Sequence, residues 1–238
     1  NDTLDGDGGS DTASHADDPA GVSVNLASQT AIDGWGDADV LIGIENASGS
    51  AHADTLTGST GDNVLAGRAG NDVLAGGNGT DTADYSGDPA GVTVNLAINT
   101  ATDGWGHTDS LSSIENVTGS AHGDAITGNS GANTLAGGGG NDTLSGGVGL
   151  DSLSGGDGDD VLIGGSGADT LDGGSGQDTA DYSASLGAVT VVLGAPAQTG
   201  GTAQGDVLTA VENVTGSAQA DSLTGDANAN ALDGGAGD

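Results

Sequence analysis

The chain of 238 residues has no cysteine, methionine or phenylalanine, and Arg68 is the only residue among Lys and Arg. Without cysteine there can be no disulfide and no thiolate metal site, though the compartment is left open. Aromatics make up 2% and apolar residues 34% of the chain, too few bulky side chains for an ordinary core of this size. One cation against 35 acidic residues gives a formal net charge of −34, which argues against direct binding of nucleic acid or anionic lipid. No apolar run approaches the length of a membrane span, and no signal peptide is visible. High charge with low hydrophobicity ordinarily means disorder.

Glycine, by contrast, occurs 49 times, and all the acidic residues except Glu45, Glu115 and Glu212 are Asp. An excess of Asp over Glu points to carboxylates on a short tether beside tight turns. Salt adaptation or simple solvation would not make those Asp residues periodic, and here they are. The pattern is G-G-x-G-x-D-x-U-x, with U a bulky apolar residue, as in Gly137 to Ser145.

Fourteen complete copies fall in blocks 6–14, 49–84, 119–181 and 216–233, all beginning with Gly. The sixth place is Asp11, Asp54, Asp72, Asp81, Asp124, Asp142, Asp151, Asp160, Asp169, Asp178 or Asp221, and Asn63, Asn133 or Asn230 in the other three. The eighth is Leu or Ile except at Ala13, Ala83 and Ala180, each of which closes a block. Between the blocks lie three inserts of equal length, 15–48, 85–118 and 182–215. Loops tolerate changes of length, so equal lengths point to one geometry rather than three linkers. Each insert also holds a degenerate nonapeptide, at 34–42, 104–112 and 201–209, with Asp39, Asp109 and Asp206 at the sixth place. The register therefore predicts a repeat that runs through the inserts.

Glycine reaches positive φ without steric cost, so six residues of G-G-x-G-x-D can turn sharply and aim carbonyl oxygens inward. The remaining x-U-x forms a short strand that buries U and exposes its neighbours. Two nonapeptides close a coil of 18 residues, and each loop stacks on the loop 18 residues later, about 4.8 Å away. Stacked carboxylates about 5 Å apart repel by about 1 kcal/mol even at the dielectric of water. The thin apolar column is not expected to offset both this and the chain entropy. A divalent cation between loops reverses the sign. Calcium suits the site best, because it takes six to eight oxygens, carbonyls included, in flexible geometry. Zinc would call for His or Cys.

The predicted ligands are the sixth-place residues, Asp39, Asp109 and Asp206 of the inserts, and the second- and fourth-place glycines of the densest block. These are Gly138, Gly140, Gly147, Gly149, Gly156, Gly158, Gly165, Gly167, Gly174 and Gly176. Pairs with Asp at both ends of the 18-residue step are Asp54/Asp72, Asp124/Asp142, Asp142/Asp160, Asp151/Asp169 and Asp160/Asp178. The pairs Asn63/Asp81 and Asn133/Asp151 are expected to be weaker or to rely on carbonyls.

These repeats resemble the RTX (repeats-in-toxin) family of secreted bacterial proteins, and the resemblance covers well over half of the chain. The inserts, with Gly-Val-Thr-Val-Asn-Leu and Ile-Glu-Asn-Val-Thr-Gly-Ser, resemble segments interleaved with such repeats in large bacterial surface proteins. The family implies a parallel β-roll, folding driven by several calcium ions outside the cell, and unfolded export by a one-step (type I) system reading a far C-terminal signal. This chain departs from the pattern with Ser, Asn, Arg or Asp at several second places and His52 or His122 at the fourth, which weakens the calcium expectation for the early loops.

Among the remaining residues, the four histidines, His15, His52, His107 and His122, read as solvated loop residues. Trp35 and Trp105 sit in equivalent Asp-Gly-Trp-Gly turns, replaced by Thr202 in the third insert, and two readings stay open, ligand contact or cover for the edge. Tyr85 and Tyr182 read as packing residues. Asn46, Asn116 and Asn213 suit an inward Asn ladder, and the Glu before each suits either a calcium ligand or a turn cap. No catalytic constellation can be argued.

The expected fold is all-β, a single elongated right-handed parallel β-roll over 1–238, continued or widened at the inserts and cut from a longer array. At 18 residues per coil it would run about 60 Å. The expected function is a non-enzymatic, calcium-ordered spacer, or a self-assembling segment of a surface layer, filament or adhesin, secreted or at the bacterial surface, without membrane insertion. Alternatives are the calcium module of a secreted hydrolase or polysaccharide-modifying enzyme, and a module binding cell-surface glycan through the tryptophans.

Overall fold

A computed structural model describes residues 1–237; Asp238, on which the reading of a repeat cut short at the C-terminus falls, lies outside the described residues. The chain is all-β, with no α-helix among the described residues, and forms two compact units, Asn1–Ser120 and Ala121–Asp238.

In the first unit the strands are β1 (Thr3–Asp5), β2 (Thr12–Ser14), β3 (Ser23–Asn25), β4 (Thr30–Ile32), β5 (Ala38–Ile42), β6 (Asn46–Ser48), β7 (Thr55–Thr57), β8 (Val64–Ala66), β9 (Val73–Ala75), β10 (Thr82–Asp84), β11 (Thr93–Asn95), β12 (Thr100–Thr102), β13 (Thr108–Ser112) and β14 (Asn116–Thr118). Successive nonapeptide strands alternate between two sheets, so that β7 pairs with β9 in parallel at Leu56↔Leu74 while β8 pairs with β10 at Leu65↔Ala83. The middle residue of each strand points inward. Leu56, Leu65 and Leu74 are fully buried, and their flanking residues are more exposed, as the period of two requires.

The inserts add something the repeat register did not predict. In 15–48, β3, β4 and β5 form an antiparallel meander, with β5 parallel to β1 and β3 parallel to β7. In 85–118, β11, β12 and β13 repeat that meander, and β13 runs parallel to β9. The all-parallel expectation thus gives way locally to two reversals in each of the first two inserts. Gln29 and Asn99 make the first reversal in the left-handed region (φ 58° and 60°). The Asp-Gly-Trp-Gly turn makes the second.

In the second unit the strands are β15 (Ala125–Thr127), β16 (Thr134–Gly139), β17 (Thr143–Val148), β18 (Ser152–Asp157), β19 (Val161–Ser166), β20 (Thr170–Ser175), β21 (Thr179–Asp181), β22 (Thr190–Val192), β23 (Val207–Thr209), β24 (Asn213–Thr215), β25 (Ser222–Thr224) and β26 (Leu232–Asp233). One parallel sheet runs β15-β17-β19-β21-β24-β26 and the other β16-β18-β20-β23. The step is 18 residues throughout the dense block, as in Leu144↔Leu162 and Leu153↔Leu171. Here five strands are six residues long rather than the expected three, because the ladder continues into the glycines of the loop (Gly138↔Gly156, Gly147↔Gly165). The third insert forms no meander: β22 pairs with β25, and a single 3₁₀ turn, Gly201–Ala203, precedes β23.

Candidate metal centre

Each sixth-place side chain folds back under its own loop. The position a Cβ on Gly146 would take lies 2.5 Å from Asp151 Oδ2 and 2.6 Å from the Gly164 carbonyl of the next coil. The first glycine is therefore required by close approach, since its φ is not positive. The second and fourth glycines are needed for conformation: Gly156 and Gly158 have φ of 112° and 133°, and a Cβ on either would strike the carbonyl of Gly138 or Gly140. The result is a slot lined by backbone carbonyls and floored by a carboxylate.

The carboxylates form a ladder. The N–H of Asp142 donates to Asp160 Oδ1 at 2.8 Å, and the N–H groups of Asp54, Asn63, Asp124, Asn133, Asp151 and Asp160 each donate to the sixth-place Oδ1 18 residues on. At the inserts the step lengthens to 37 residues, with Asp72 donating to Asp109 and Asp169 to Asp206, or to 34, with Asp81 donating to Glu115 and Asp178 to Glu212. Asp2 and Asp11 donate in the same way to Asp39 and Glu45. The insert aspartates and glutamates are thus ladder members. Glu replaces Asp where the backbone bulges, with the N–H groups of Glu45 and Asn46 both donating to the Asp11 carbonyl. Asn46 and Asn213 do not stack into an Asn ladder. Their Oδ1 atoms accept the N–H of Val64 and Ala231.

One oxygen per ladder rung distinguishes the loops. Oδ2 of Asp11, Asp72, Asp81, Asp142, Asp151, Asp160, Asp169 and Asp178 is buried with no hydrogen-bond partner. From Asp72 onward these residues are at most 2% exposed. An unpaired buried carboxylate oxygen is costly, and the cost appears in the acidities. Burial, opposed by the ladder N–H, pushes Asp72 and Asp142 up to about 7 and Asp109 and Asp206 up to about 6. It raises Asp81, Asp151, Asp160, Asp169 and Asp178 as well. Asp109 and Asp206 have help: Tyr85 and Tyr182, buried at the start of their inserts, donate a hydroxyl to Oδ2 at 3.2 and 3.1 Å. The tyrosines were legible as packing residues, but not as hydrogen-bond donors.

No three His, Asp or Glu side chains converge on a point among the described residues. The donors are instead single carboxylates with many backbone carbonyls, all oxygen, a set that fits a hard cation of flexible coordination number and not zinc. Calcium in such slots would supply positive charge to the unpartnered Oδ2 atoms. The histidines stand apart. His52 is exposed, His107 contacts Asp103 at 3.2 Å on the Trp105 turn, and His15 is buried with Nδ1 3.2 Å from Asp18, against the expectation of a solvated residue. It occupies the insert position that Tyr85 and Tyr182 fill elsewhere.

Coiled parallel strands whose glycine turns mostly hold a buried carboxylate define a β-roll of the calcium-binding class. A family profile described as "RTX calcium-binding nonapeptide repeat (4 copies)" matches residues 1–13, 48–83, 118–153, 146–180 and 209–238, well over half of the chain, and the chain belongs to that family. No curated protein matches it. The chain is accordingly a calcium-binding structural module, and such repeats are typical of secreted bacterial proteins.

Proposed function

We propose that this module is a calcium-ordered spacer or self-assembling segment of a secreted surface protein, unfolded at cytosolic calcium and folded outside the cell. The observation that carries it is the row of eight buried, partnerless Oδ2 atoms. Charges placed that way are tolerable only when a cation arrives, so ion binding and folding are one event. Several ions are expected, held by the sixth-place carboxylates and the glycine carbonyls of 137–181. Extracellular calcium modules bind at about 10⁻⁴ to 10⁻³ M, which would keep the chain unfolded during export. Repetition of the insert (Asp18 to Leu26, again as Asp88 to Leu96) favours repeated contacts with identical neighbours. The test is circular dichroism with light scattering during a calcium titration, with magnesium as control. A coil-to-β transition reversed by chelator, with ordered particles, supports the reading. A β spectrum already complete in chelator sinks it.

A second reading, recognition of cell-surface glycan, is favoured by a groove of about 260 Å³ in the first unit. Trp105, Arg68, Asn46, Asp84 and Ser86 line it. Asp103 Oδ1 accepts the N–H groups of Trp105 and His107 and so fixes the turn that presents the indole, which is 41% exposed. An aromatic face beside a cation, carboxylates and an amide suits a sugar ring. Trp105→Ala should abolish binding on a glycan array while leaving the calcium-induced β spectrum unchanged; retained binding would remove this reading.

A further inference from the structure

The fourteen loops are of two kinds. In eight, the second and fourth residues both have positive φ, as at Gly147 (104°) and Gly149 (157°), or Arg68 (68°) and Gly70 (147°). These eight are the ones whose sixth-place Asp leaves Oδ2 without a partner. In the other six, 49–57, 58–66, 119–127, 128–136, 216–224 and 225–233, neither place has positive φ, and the second residue is Ser, Asn or Asp.

There the loop closes on itself. The Ser50 N–H donates to Asp54 Oδ2 at 2.6 Å, while Ser50 Oγ and the Val22 N–H serve Oδ1. The second-place N–H groups of Ser59, Asn129, Ser217 and Asp226 likewise donate to Asn63, Asn133, Asp221 and Asn230. The second side chain then accepts the fourth N–H, as Asn129 Oδ1 does from Gly131 and Ser59 Oγ from Gly61. In 119–127, Ser120 and Asp124 are buried and neither lacks a partner.

Two further facts agree. Asn stands at the sixth place only in closed loops; its Oδ1 lies against the first glycine, where Asp puts Oδ2, and accepts the second-place N–H, while its Nδ2, a donor that repels cations, takes the place of the ladder oxygen, and Asn63 and Asn230 give it to the carbonyls of Glu45 and Glu212. The closed loops also come as three tandem pairs, each directly after an insert.

Given the calcium-binding reading, we infer that the backbone conformation at the second place, which Asp takes open at Asp7 and closed at Asp226, decides whether a loop takes an ion, and that the closed pair after each insert is a calcium-independent footing on which the calcium-dependent coils are laid. A coil restarting after an insert has no open loop beneath it to share an ion with, and internal hydrogen bonds do that work instead. Open loops stack directly on open loops at three places, Asp142/Asp160, Asp151/Asp169 and Asp160/Asp178. The pairs Asp54/Asp72 and Asp124/Asp142, equivalent to these by sequence, each contain a closed loop.

The test is the number of calcium ions bound at saturation by the full chain, counted by equilibrium dialysis. Asp160→Asn should lose one or two ions and Asp54→Asn none. The double variant Asn129→Gly with Asn133→Asp, which opens 128–136 beneath the open loop 146–154, should gain about one. Equal losses in Asp54→Asn and Asp160→Asn overturn the partition, as does an unchanged count in a folded double variant. If the double variant does not fold, the comparison of the two single variants decides. A wild-type chain that binds no calcium would defeat the calcium reading itself, an outcome distinct from calcium bound equally by both kinds of loop.

Discussion

At the scale of single residues, glycine does two jobs that its frequency alone does not separate. The second and fourth places of open loops need positive φ, which Arg68 and Asp7 also adopt, at a conformational cost. The first place needs the absence of a Cβ, because the carboxylate and the next coil's carbonyl already fill the space. Gly155→Ala would set a methyl against Asp160 Oδ2 and 2.6 Å from the backbone oxygen of Gly173, which cannot swing away. The cost should be about 1–3 kcal/mol, as for other overpacked sites. Gly87→Ala is the control: nothing lies within 4 Å of its Cβ position and its φ is not positive, so it should be neutral or stabilising by up to about 1 kcal/mol. Denaturant unfolding in saturating calcium measures both. Equal midpoints would show that the coils relax to accept the methyl.

At the scale of elements, the inserts are tied to the ladder through their opening residue. Tyr85 and Tyr182 are almost fully buried and each gives its hydroxyl to a ladder carboxylate of its own insert. Tyr85→Phe keeps the ring and leaves a second Oδ2 without a donor beside Asp72, so the unit should lose about 1–3 kcal/mol of stability at neutral pH. Thermal unfolding of the variant checks this, and an unchanged midpoint would mean that solvent replaces the hydroxyl. The nonapeptide strands were legible because glycine, aspartate and the apolar residue recur in fixed register, and Leu65, Leu74 and Leu144 fall where that register puts them. The meanders were not. Their strands are three to five residues long, too short for alternation to rise above a loop background, although Asp-Gly-Trp-Gly between two apolar runs is a hairpin signal. Nor were the closed loops, where Ser50, Ser59 and Asn129 read as departures from a consensus. The cue was present, since Ser, Asn and Asp two residues before a backbone N–H are turn-formers in their own right.

At the scale of the whole molecule, two forces oppose folding without metal, and they respond to different agents. One is repulsion among exposed carboxylates in a chain of net charge −34. Salt screens that, with a Debye length of about 3 Å at 1 M. The other is desolvation of the buried ladder, which salt hardly reaches and protons relieve. Asp72 and Asp142 are raised from 3.8 to about 7, and Asp109 and Asp206 to about 6. The folded chain therefore holds these protons more tightly than the unfolded one. The stability this confers is fully present below about pH 4 and is lost as pH rises through 6 and 7. In chelator, lowering the pH from 8 to 5, still above the pI of about 4.1, should raise the β signal in circular dichroism. Adding 1 M sodium chloride at pH 8 should contract the chain in small-angle scattering without reaching the β signal that calcium gives. If salt alone restored that signal, the obstacle would be net charge, and the partnerless oxygens would not be what calcium answers. If neither acid nor salt moved it, the ladder would demand a coordinated ion and not merely a neutral carboxyl.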